Sequence, residues 1–300
     1  MRVAITGATG FIGRALATAL EQQGVKVWRL VRRPSGAPNE VAWSVEQGVR
    51  EPAKVEGCDA VIHLAGESIA GGLRWSAAKK ARIRESRVRG TERLVESLRQ
   101  LAQPPQTLLC ASAIGYYGDR GEEILTETSA PGPKGFLVQV AREWEAAALE
   151  ASTFGARVVN LRFGIVLGQE GGALPQMLPL FRCGLGGRLG SGRQWWSWIS
   201  IRDVVGGILH ALVHRELQGP VNFTAPAPVR NVEFTRELAR SLRRPAFFAA
   251  PAFALRLIMG QMAEEMLLAS TRVLPEKLQA TSYRFVHPSL DVALAELLRA

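Results

Sequence analysis

Three glycines at regular spacing follow a short apolar run near the start of the chain, in the sequence AITGATGFIG (4–13). In a loop that joins a strand to a helix, Gly7 permits a tight turn and Gly10 lets the backbone approach a bound pyrophosphate. Gly13 lets the helix pack closely against the sheet, and the N–H groups at the helix start attract phosphates. The run VAIT predicts a strand and residues 11–23 predict an amphipathic helix, which is the context this interpretation requires. The opening therefore predicts a dinucleotide-binding loop.

Patterns typical of strands alternate with patterns typical of helices as far as about residue 164. After the first pair, strands are predicted at 25–31, 60–66, 106–112 and 156–162, and helices at 77–102 and 135–152. Strands separated by single helices pair in parallel through right-handed crossovers. The expected fold class is therefore α/β, a doubly wound parallel sheet of the Rossmann, NAD(P)-binding type, with ligands at the carboxyl ends of its strands.

The character of the sequence changes after residue 164. Residues 165–200 are rich in glycine and contain three of the seven tryptophans, which favours folded loops around a substrate pocket over a linker. These tryptophans suggest a flat or apolar substrate, although plain core aromatics are an equally good interpretation. The rest predicts a helix at 201–214 and a helical tail interrupted by Pro245, Pro251 and Pro275. We expect an NAD(P)-binding domain at 1–228, which includes part of the pocket, and a smaller, mostly helical substrate-side lobe at 229–300.

The end of the second predicted strand indicates which dinucleotide binds. An enzyme that uses NAD usually has Asp or Glu there, to accept a hydrogen bond from the ribose 2′-hydroxyl. This chain has Arg32 and Arg33 instead, in LVRRP. Two guanidinium groups suit a 2′-phosphate through charge-assisted hydrogen bonds, so the sequence predicts NADP(H). The alternative is that both arginines are solvated turn residues.

The third predicted strand, in DAVIHLAG (59–66), ends in residues small enough for a cofactor ribose to lie on the backbone. These residues are Leu64, Ala65 and Gly66. His63 precedes them within the apolar run, and we interpret it as a packed core residue in preference to a catalytic base.

The net charge of +10 comes almost entirely from arginine and is densest between Arg74 and Arg99. A nucleic-acid surface is one interpretation, but the segment matches no known nucleic-acid-binding motif. A solvated helix face, some of whose charges meet an anionic cofactor or substrate, is the better one. The expected partner is a small-molecule substrate, with no nucleic acid, and the oligomeric state is left open.

Composition also limits where the chain works. It has no stretch of about 18 uncharged apolar residues, so no membrane span is expected, and the predicted strand at its start leaves no room for a signal peptide. The three cysteines are widely spaced without a CxxC pair, which indicates reduced thiols in the cytoplasm. His210 and His214 lack the neighbouring Glu of a metalloprotease helix, so no metal site is predicted.

Taken together, the motifs resemble an atypical, extended short-chain dehydrogenase/reductase. TGATGFIG, DAVIHLAG, the serine of CASAIGYYG and the late WISIRDV occur in that family's order. More narrowly, the chain resembles an epimerase-like group of uncharacterised oxidoreductases with a DUF1731-type C-terminal segment, some of whose members are labelled cell-division inhibitors of the SulA type. That narrower match rests on segments such as HLAGESI, FLVQVAREWEAAA, GRQWWSWISIRD and PAFALRLIMGQMAEEML, and it covers essentially the whole chain.

The resemblance implies a set of cofactor-binding residues. Its dinucleotide loop falls on Gly7, Thr9, Gly10, Phe11, Ile12 and Gly13. Its other cofactor contacts fall near Arg32, Arg33, Leu64, Ala65, Arg82, Arg87 and, more weakly, Arg162.

The resemblance fails at the catalytic residues. The wider family uses a Ser, a Tyr that transfers the substrate proton, and a Lys four residues after the Tyr that lowers its pKa. Aligning Trp144 and the residue after it with the family's helix puts Leu137 in the Tyr position and Ala141 in the Lys position. Of the usual set only Ser112 remains.

Other residues are candidates for the proton transfer. We hypothesise that Ser112 orients a substrate oxygen and that Tyr116 or Glu67 handles the proton. We interpret Tyr117 as a packed turn residue and Asp203 as a charge at the start of a helix.

Two functions of different kinds follow. The first is an NADP(H)-dependent oxidoreductase or epimerase-like enzyme that acts on a small molecule without the Tyr-x-x-x-Lys pair. The second is a non-catalytic NADP(H)-binding regulatory or interaction protein, which would need only the cofactor loop and a surface that responds to it. The glycine- and tryptophan-rich pocket favours the enzyme.

Overall fold

The computed structural model describes residues 1–299, which form a twisted sheet with helices on both faces and a helical C-terminal region. Along these residues the strands are β1 (Arg2–Thr6), β2 (Lys26–Val31), β3 (Glu40–Ser44), β4 (Gly48–Val49), β5 (Ala60–His63), β6 (Thr107–Ala113), β7 (Ile124–Leu125), β8 (Arg157–Phe163), β9 (Ile165–Leu167), β10 (Trp195–Trp196), β11 (Trp198–Ser200), β12 (Gly219–Phe223), β13 (Val229–Arg230) and β14 (Arg272–Val273). The α-helices are α1 (Phe11–Gln22), α2 (Ala77–Arg99), α3 (Phe136–Leu149), α4 (Leu174–Arg182), α5 (Ile201–Val213), α6 (Asn231–Leu242), α7 (Ala252–Met259), α8 (Gln261–Ala263), α9 (Glu276–Ala280) and α10 (Leu290–Leu297).

The main sheet has the strand order β12-β8-β6-β5-β1-β2-β3-β4. Neighbouring strands pair in parallel throughout, except that β4 runs antiparallel to β3 at one edge. The order reverses between β1 and β5, which is the position where a doubly wound sheet opens a crevice for a ligand. The predicted α/β, Rossmann-type fold class is confirmed.

The sequence accounts for this sheet through burial on both faces. Val3, Ala4 and Ile5 of β1 are fully buried, as expected for a central parallel strand covered by helices. Helix α1 packs on that strand through an apolar stripe formed by Gly13, Leu16, Ala17 and Leu20. The local pattern and the tertiary packing therefore agree in this half of the chain.

The helical C-terminal region shares a second core with the segment after β8. Leu174 of α4, Trp196 and Trp198 pack there with Phe234 of α6 and Leu294 of α10. The predicted helix interruptions also fit: α7 begins after Pro251 and α9 after Pro275, while the chain around Pro245 runs without a helix between α6 and α7. The domain boundary at 228/229 stays a prediction, because the second core joins residues from both sides of it.

Candidate functional site

The glycine loop between β1 and α1 is packed so closely that side chains would not fit. Gly7 has φ +70°, and a Cβ there would lie 2.8 Å from the carbonyl carbon of Leu64. A Cβ on Gly13 would lie 2.1 Å from the carbonyl oxygen of Gly7, so α1 approaches the strand end as predicted. Gly10 is the N-cap of α1 and supplies no side-chain cap, which leaves the N–H groups of the first turn available to an anion. The loop fits a dinucleotide pyrophosphate.

A hydrogen-bond network fixes the opposite wall of this crevice. The Thr6 hydroxyl oxygen accepts hydrogen bonds from the N–H groups of Leu64 (3.1 Å) and Ala65 (3.2 Å). It also lies 2.6 Å from Nδ1 of His63, within hydrogen-bond distance. Burial lowers the pKa of His63 to about 3, so the imidazole is neutral at physiological pH. His63 is placed in the core and holds the strand ends in register.

Arg32 and Arg33 follow β2 at the same edge of the sheet as the glycine loop, since Leu30 pairs with Thr6. Both side chains are exposed, and neither forms an ion pair or a hydrogen bond with any residue that the structure describes. Arg29 of the same strand, in contrast, is paired with Glu21 at 2.7 Å. Two unpaired guanidinium groups beside a dinucleotide loop suit the 2′-phosphate of NADP(H).

Helix α2 brings Arg87 to the crevice. Its guanidinium donates to the carbonyl oxygen of Glu67 at 2.9 Å and stacks over the Trp144 ring at 5.1 Å. Burial lowers the pKa of Arg87 to about 10, which leaves it charged at neutral pH. Arg82, on the same helix, is exposed and lies 3.6 Å from the Glu67 carboxylate. The two arginines therefore lie at different depths, with only Arg87 facing the crevice.

The Glu67 carboxylate forms an ion pair with Lys79 at the edge of the crevice. Lys79, which is buried, donates to it at 2.7 Å. The hydrogen bond from Lys79 holds the pKa of Glu67 below its usual value, with further contributions from the charges of Lys79 and Arg82. Glu67 is therefore ionised at neutral pH.

Ser112, at the end of β6, belongs to a buried polar chain. Its hydroxyl donates to Oε1 of Glu145 on α3 at 2.7 Å. Arg162, which is 2% exposed, binds both carboxylate oxygens of Glu145 at 2.7 Å. The Arg162 guanidinium also stacks on the ring of Tyr116 at 3.6 Å. Arg162 is thus fully engaged within the protein, and it supports Ser112 through Glu145.

Helix α3 presents apolar side chains to the crevice. Leu137, Val140, Ala141 and Trp144 line it, so neither position expected for the Tyr and Lys carries an ionisable group. The start of α3 is capped from the C-terminal region, since the Glu265 carboxylate accepts from the N–H groups of Phe136 (2.9 Å) and Leu137 (2.7 Å). Glu265 was not singled out from the sequence, and no local pattern connects residues so far apart.

These parts surround one cavity of about 1180 Å³. Of the residues predicted from the sequence, its wall includes Gly7, Gly10, Phe11, Ile12, Gly13, Leu64, Gly66, Glu67, Arg87 and Ser112. Those that lie outside its wall are Thr9, Arg32, Arg33, Ala65, Arg82, Tyr116 and Arg162. The volume exceeds the roughly 300–1,000 Å³ typical of a site for one ligand, so there is room for a dinucleotide and a second molecule.

A loop that the sequence analysis assigned only to the pocket also covers the start of α1. A Cβ on Gly168 would lie 2.3 Å from the Phe11 ring, and one on Gly171 would lie 2.5 Å from it. Only glycine fits at Gly168 and Gly171, because any larger side chain would clash with the Phe11 ring. This contact packs the cofactor loop against the segment that leads into the second half of the cavity.

Two other residues weighed from the sequence are structural. Tyr117 is fully buried, and its hydroxyl donates to Oδ1 of Asn222 at 2.7 Å. Asp203 is also fully buried and accepts from the N–H groups of Val286 (2.7 Å) and His287 (3.0 Å). Asp203 thus does more than start a helix, because it anchors the C-terminal segment to α5.

Comparisons with known proteins agree with this architecture. The sequence profile of the NAD dependent epimerase/dehydratase family matches residues 3–223, and that of DUF1731, a domain of unknown function, matches residues 250–297. An epimerase family protein of Mycobacterium leprae is 41% identical over 293 residues, which cover 98% of this chain and 94% of that protein.

Two solved structures are similar over nearly the whole chain. The human epimerase family protein SDR39U1 (isoform 2), crystallised with NADPH, is 33% identical with a TM-score of 0.89, covering 99% of each chain. A nucleoside-diphosphate sugar epimerase from Corynebacterium glutamicum is 37% identical with a TM-score of 0.82, covering 99% of this chain and 58% of that one. The chain therefore belongs to the NAD dependent epimerase/dehydratase family, and to those of its members that carry a DUF1731 segment after a short-chain dehydrogenase-like, NAD(P)-binding fold.

Proposed function

We propose that the protein is an NADP(H)-dependent oxidoreductase or epimerase-like enzyme of the cytoplasm that acts on a small molecule. The observation that carries the proposal is the continuous cavity, which extends from Gly10 at the start of α1 to Trp196 in the second core. A protein that only sensed the dinucleotide would have no need of a second compartment that opens onto the cofactor crevice.

The choice of NADP(H) over NAD(H) rests on Arg32 and Arg33. They are the unpaired cations at the sheet edge where the adenosine ribose of a dinucleotide lies in this fold. The crystal structure of the human relative with NADPH supports the same choice. Phe11, Ile12 and Arg87 would then lie along the rest of the cofactor.

The bound cofactor supplies or accepts a hydride. Ser112 donates its own proton to Glu145, so towards the cavity its oxygen offers lone pairs. Such an oxygen accepts a hydrogen bond from a substrate hydroxyl better than it donates to a carbonyl. Ser112 is therefore suited to hold the alcohol form of a substrate, and Glu145 and Arg162 fix its direction.

We propose that Glu67 takes the part of the proton acceptor that Tyr has in other members. It lies on the cavity wall and stays ionised beside Lys79, whereas the Tyr116 ring lies outside the wall, stacked on Arg162. The Lys79 ammonium donates to this carboxylate at 2.7 Å and holds it in place. Leu137 and Ala141 leave α3 without a group for this step.

The proposal is tested by screening aldehydes, ketones, quinones and sugars with NADPH and NADH in parallel. We expect turnover with at least one class and a preference for NADPH. NADPH binding without turnover of any class would instead support the non-catalytic regulatory protein.

Two variants then test the proton transfer. We expect Glu67→Gln to lower kcat at least tenfold and Tyr116→Phe to change it little. Glu85→Gln, at an exposed position of α2 beside Arg89, is the matched control for loss of a carboxylate. An unchanged rate in Glu67→Gln would contradict the assignment, whether or not Tyr116→Phe lowers the rate.

A further inference from the structure

The half of the cavity that lies beyond the cofactor crevice is lined mainly by apolar side chains. We call it the distal compartment and define it by the wall residues of 176–197, 231–235, 248–250 and 259–271. Its large apolar side chains are Met177, Leu180, Phe181, Leu185, Leu189, Trp195, Trp196, Phe234, Phe248, Met259, Met266 and Leu267. They come from the segment after β8 and from the C-terminal region.

The polar atoms on this wall are mostly bound to other parts of the protein. The indole N–H of Trp195 donates to Glu122 at 2.8 Å, and that of Trp196 donates to the Leu267 carbonyl oxygen at 3.4 Å. The Ser197 hydroxyl donates to the Thr271 carbonyl oxygen at 2.8 Å. The tryptophans therefore present ring carbon to a ligand.

Among the described residues, the wall of the distal compartment has no cationic side chain to bind a strongly anionic ligand. Among the described residues that line the whole cavity, the charged ones are Glu67, Arg87 and Glu265, and the one that belongs to the distal compartment is Glu265. Its carboxylate caps α3. The diphosphate of a nucleotide sugar carries two negative charges, and burying them without a cation is strongly unfavourable. Glu265 would add repulsion.

The mouth of the distal compartment continues the apolar wall to the surface. Leu180, Leu185 and Phe248 line the cavity and are each more than half exposed. Because this apolar wall continues to the surface, a ligand longer than the compartment can extend out through the mouth. Methionines such as Met177 and Met266 adapt to ligands of different shape, since their side chains are flexible.

We propose that the distal compartment binds an elongated, mainly apolar alcohol or carbonyl compound and not a nucleoside diphosphate sugar. This inference rests on the proposed function and specifies its substrate class. The polar end of the ligand lies toward Ser112, and its hydrocarbon part lies along the distal wall to the mouth.

The test is a displacement titration with the full chain. The neutral fluorophore N-phenyl-1-naphthylamine is bound in the presence of saturating NADPH, and then displaced by the primary alcohols from hexanol to dodecanol or by UDP-glucose. We expect affinity to rise roughly threefold to fourfold for each added methylene group, as for transfer of hydrocarbon out of water. We expect no displacement by millimolar UDP-glucose.

Variants of two exposed leucines test whether the alcohols bind in the distal compartment. Leu185 is 53% exposed and lines the cavity, whereas Leu149, at the end of α3, is 55% exposed and lies outside it. We expect Leu185→Asp to weaken decanol binding at least tenfold and Leu149→Asp to leave it within twofold. Because both positions are exposed, neither change should prevent folding.

The outcomes separate this inference from the proposed function. Displacement by UDP-glucose, no dependence on chain length, or equal effects of the two aspartate variants would overturn the apolar substrate class while NADPH binding stood. If the protein does not bind NADPH, the proposed function fails, and the same titration without NADPH still decides what the distal compartment binds.

Discussion

The Ser112 hydroxyl donates a 2.7 Å hydrogen bond to the Glu145 carboxylate, which is itself clamped by the two-pronged guanidinium of Arg162. The serine at the centre of the proposed chemistry is thus oriented by a buried ion pair. A reaction site supported in this way depends on the charge of Glu145 even though that residue need not touch a substrate.

We expect Glu145→Gln to lower the free energy of unfolding by about 3–5 kcal/mol, because it leaves the Arg162 charge buried without a partner. Glu143→Gln, on the same helix, is the control: its partner Arg84 is mostly exposed, so about 1 kcal/mol or less is expected. Urea unfolding followed by circular dichroism measures both. Equal losses would mean that the Arg162–Glu145 pair is screened like a surface pair.

Gly13→Ala should abolish dinucleotide binding, since the added Cβ would lie 2.1 Å from the Gly7 carbonyl oxygen and would force α1 away from the strand end. Gly90→Ala, in the interior of α2, is the matched control because its Cβ would lie 3.6 Å from Val45, an ordinary contact. The free energy of unfolding of that control should exceed that of the parent by about 0.5–1 kcal/mol, because alanine is favoured over glycine inside a helix. NADPH titration, followed by nucleotide fluorescence, distinguishes the two. Parent-like affinity in Gly13→Ala would show that the loop geometry is not what holds the cofactor.

The local parts of this site could be predicted because their signals lie close together in the chain. The glycine loop needs only a strand, three glycines and a helix, and the apolar character of α3 at Leu137 is visible in its own sequence. The cap that Glu265 places on α3 and the anchoring of Val286 by Asp203 could not be predicted, since each joins residues more than 80 positions apart. The sequence shows a carboxylate in each case, but only the structure shows which backbone N–H groups donate to it.

Replacing Arg32 and Arg33 together by alanine should weaken NADPH binding by roughly 10- to 100-fold, as expected for loss of charge-assisted hydrogen bonds worth about 1.5–3 kcal/mol. NADH binding should change little, because NADH has no 2′-phosphate. Arg29→Ala, which removes a cation of the same strand that is already paired with Glu21, serves as the control. Dissociation constants for both nucleotides are needed, and a parallel loss for NADH and NADPH would contradict the assignment.

His63 should make the folded protein less stable at low pH, because burial lowers the pKa of its imidazole. Burial holds the pKa of the folded imidazole at about 3, while the unfolded chain has the ordinary value of 6.5. Above pH 6.5 both states are neutral at this residue, so the pH has no effect through it. As the pH falls below 6.5, His63 binds a proton in the unfolded chain but not in the folded chain. The free energy of unfolding therefore drops by up to about 1.4 kcal/mol per pH unit.

We therefore expect His63→Gln to flatten the fall in stability between pH 6.5 and pH 5, a window above the range in which most carboxylates titrate. The glutamine keeps a polar group for the Thr6 hydroxyl, so the variant should fold, although with lower stability at neutral pH. His214→Gln removes an imidazole at the surface beside Glu216 and controls for loss of a histidine as such. Urea midpoints measured at half-unit pH intervals give the slopes. If the parent and His63→Gln have the same slope, the folded protein does not hold the imidazole neutral.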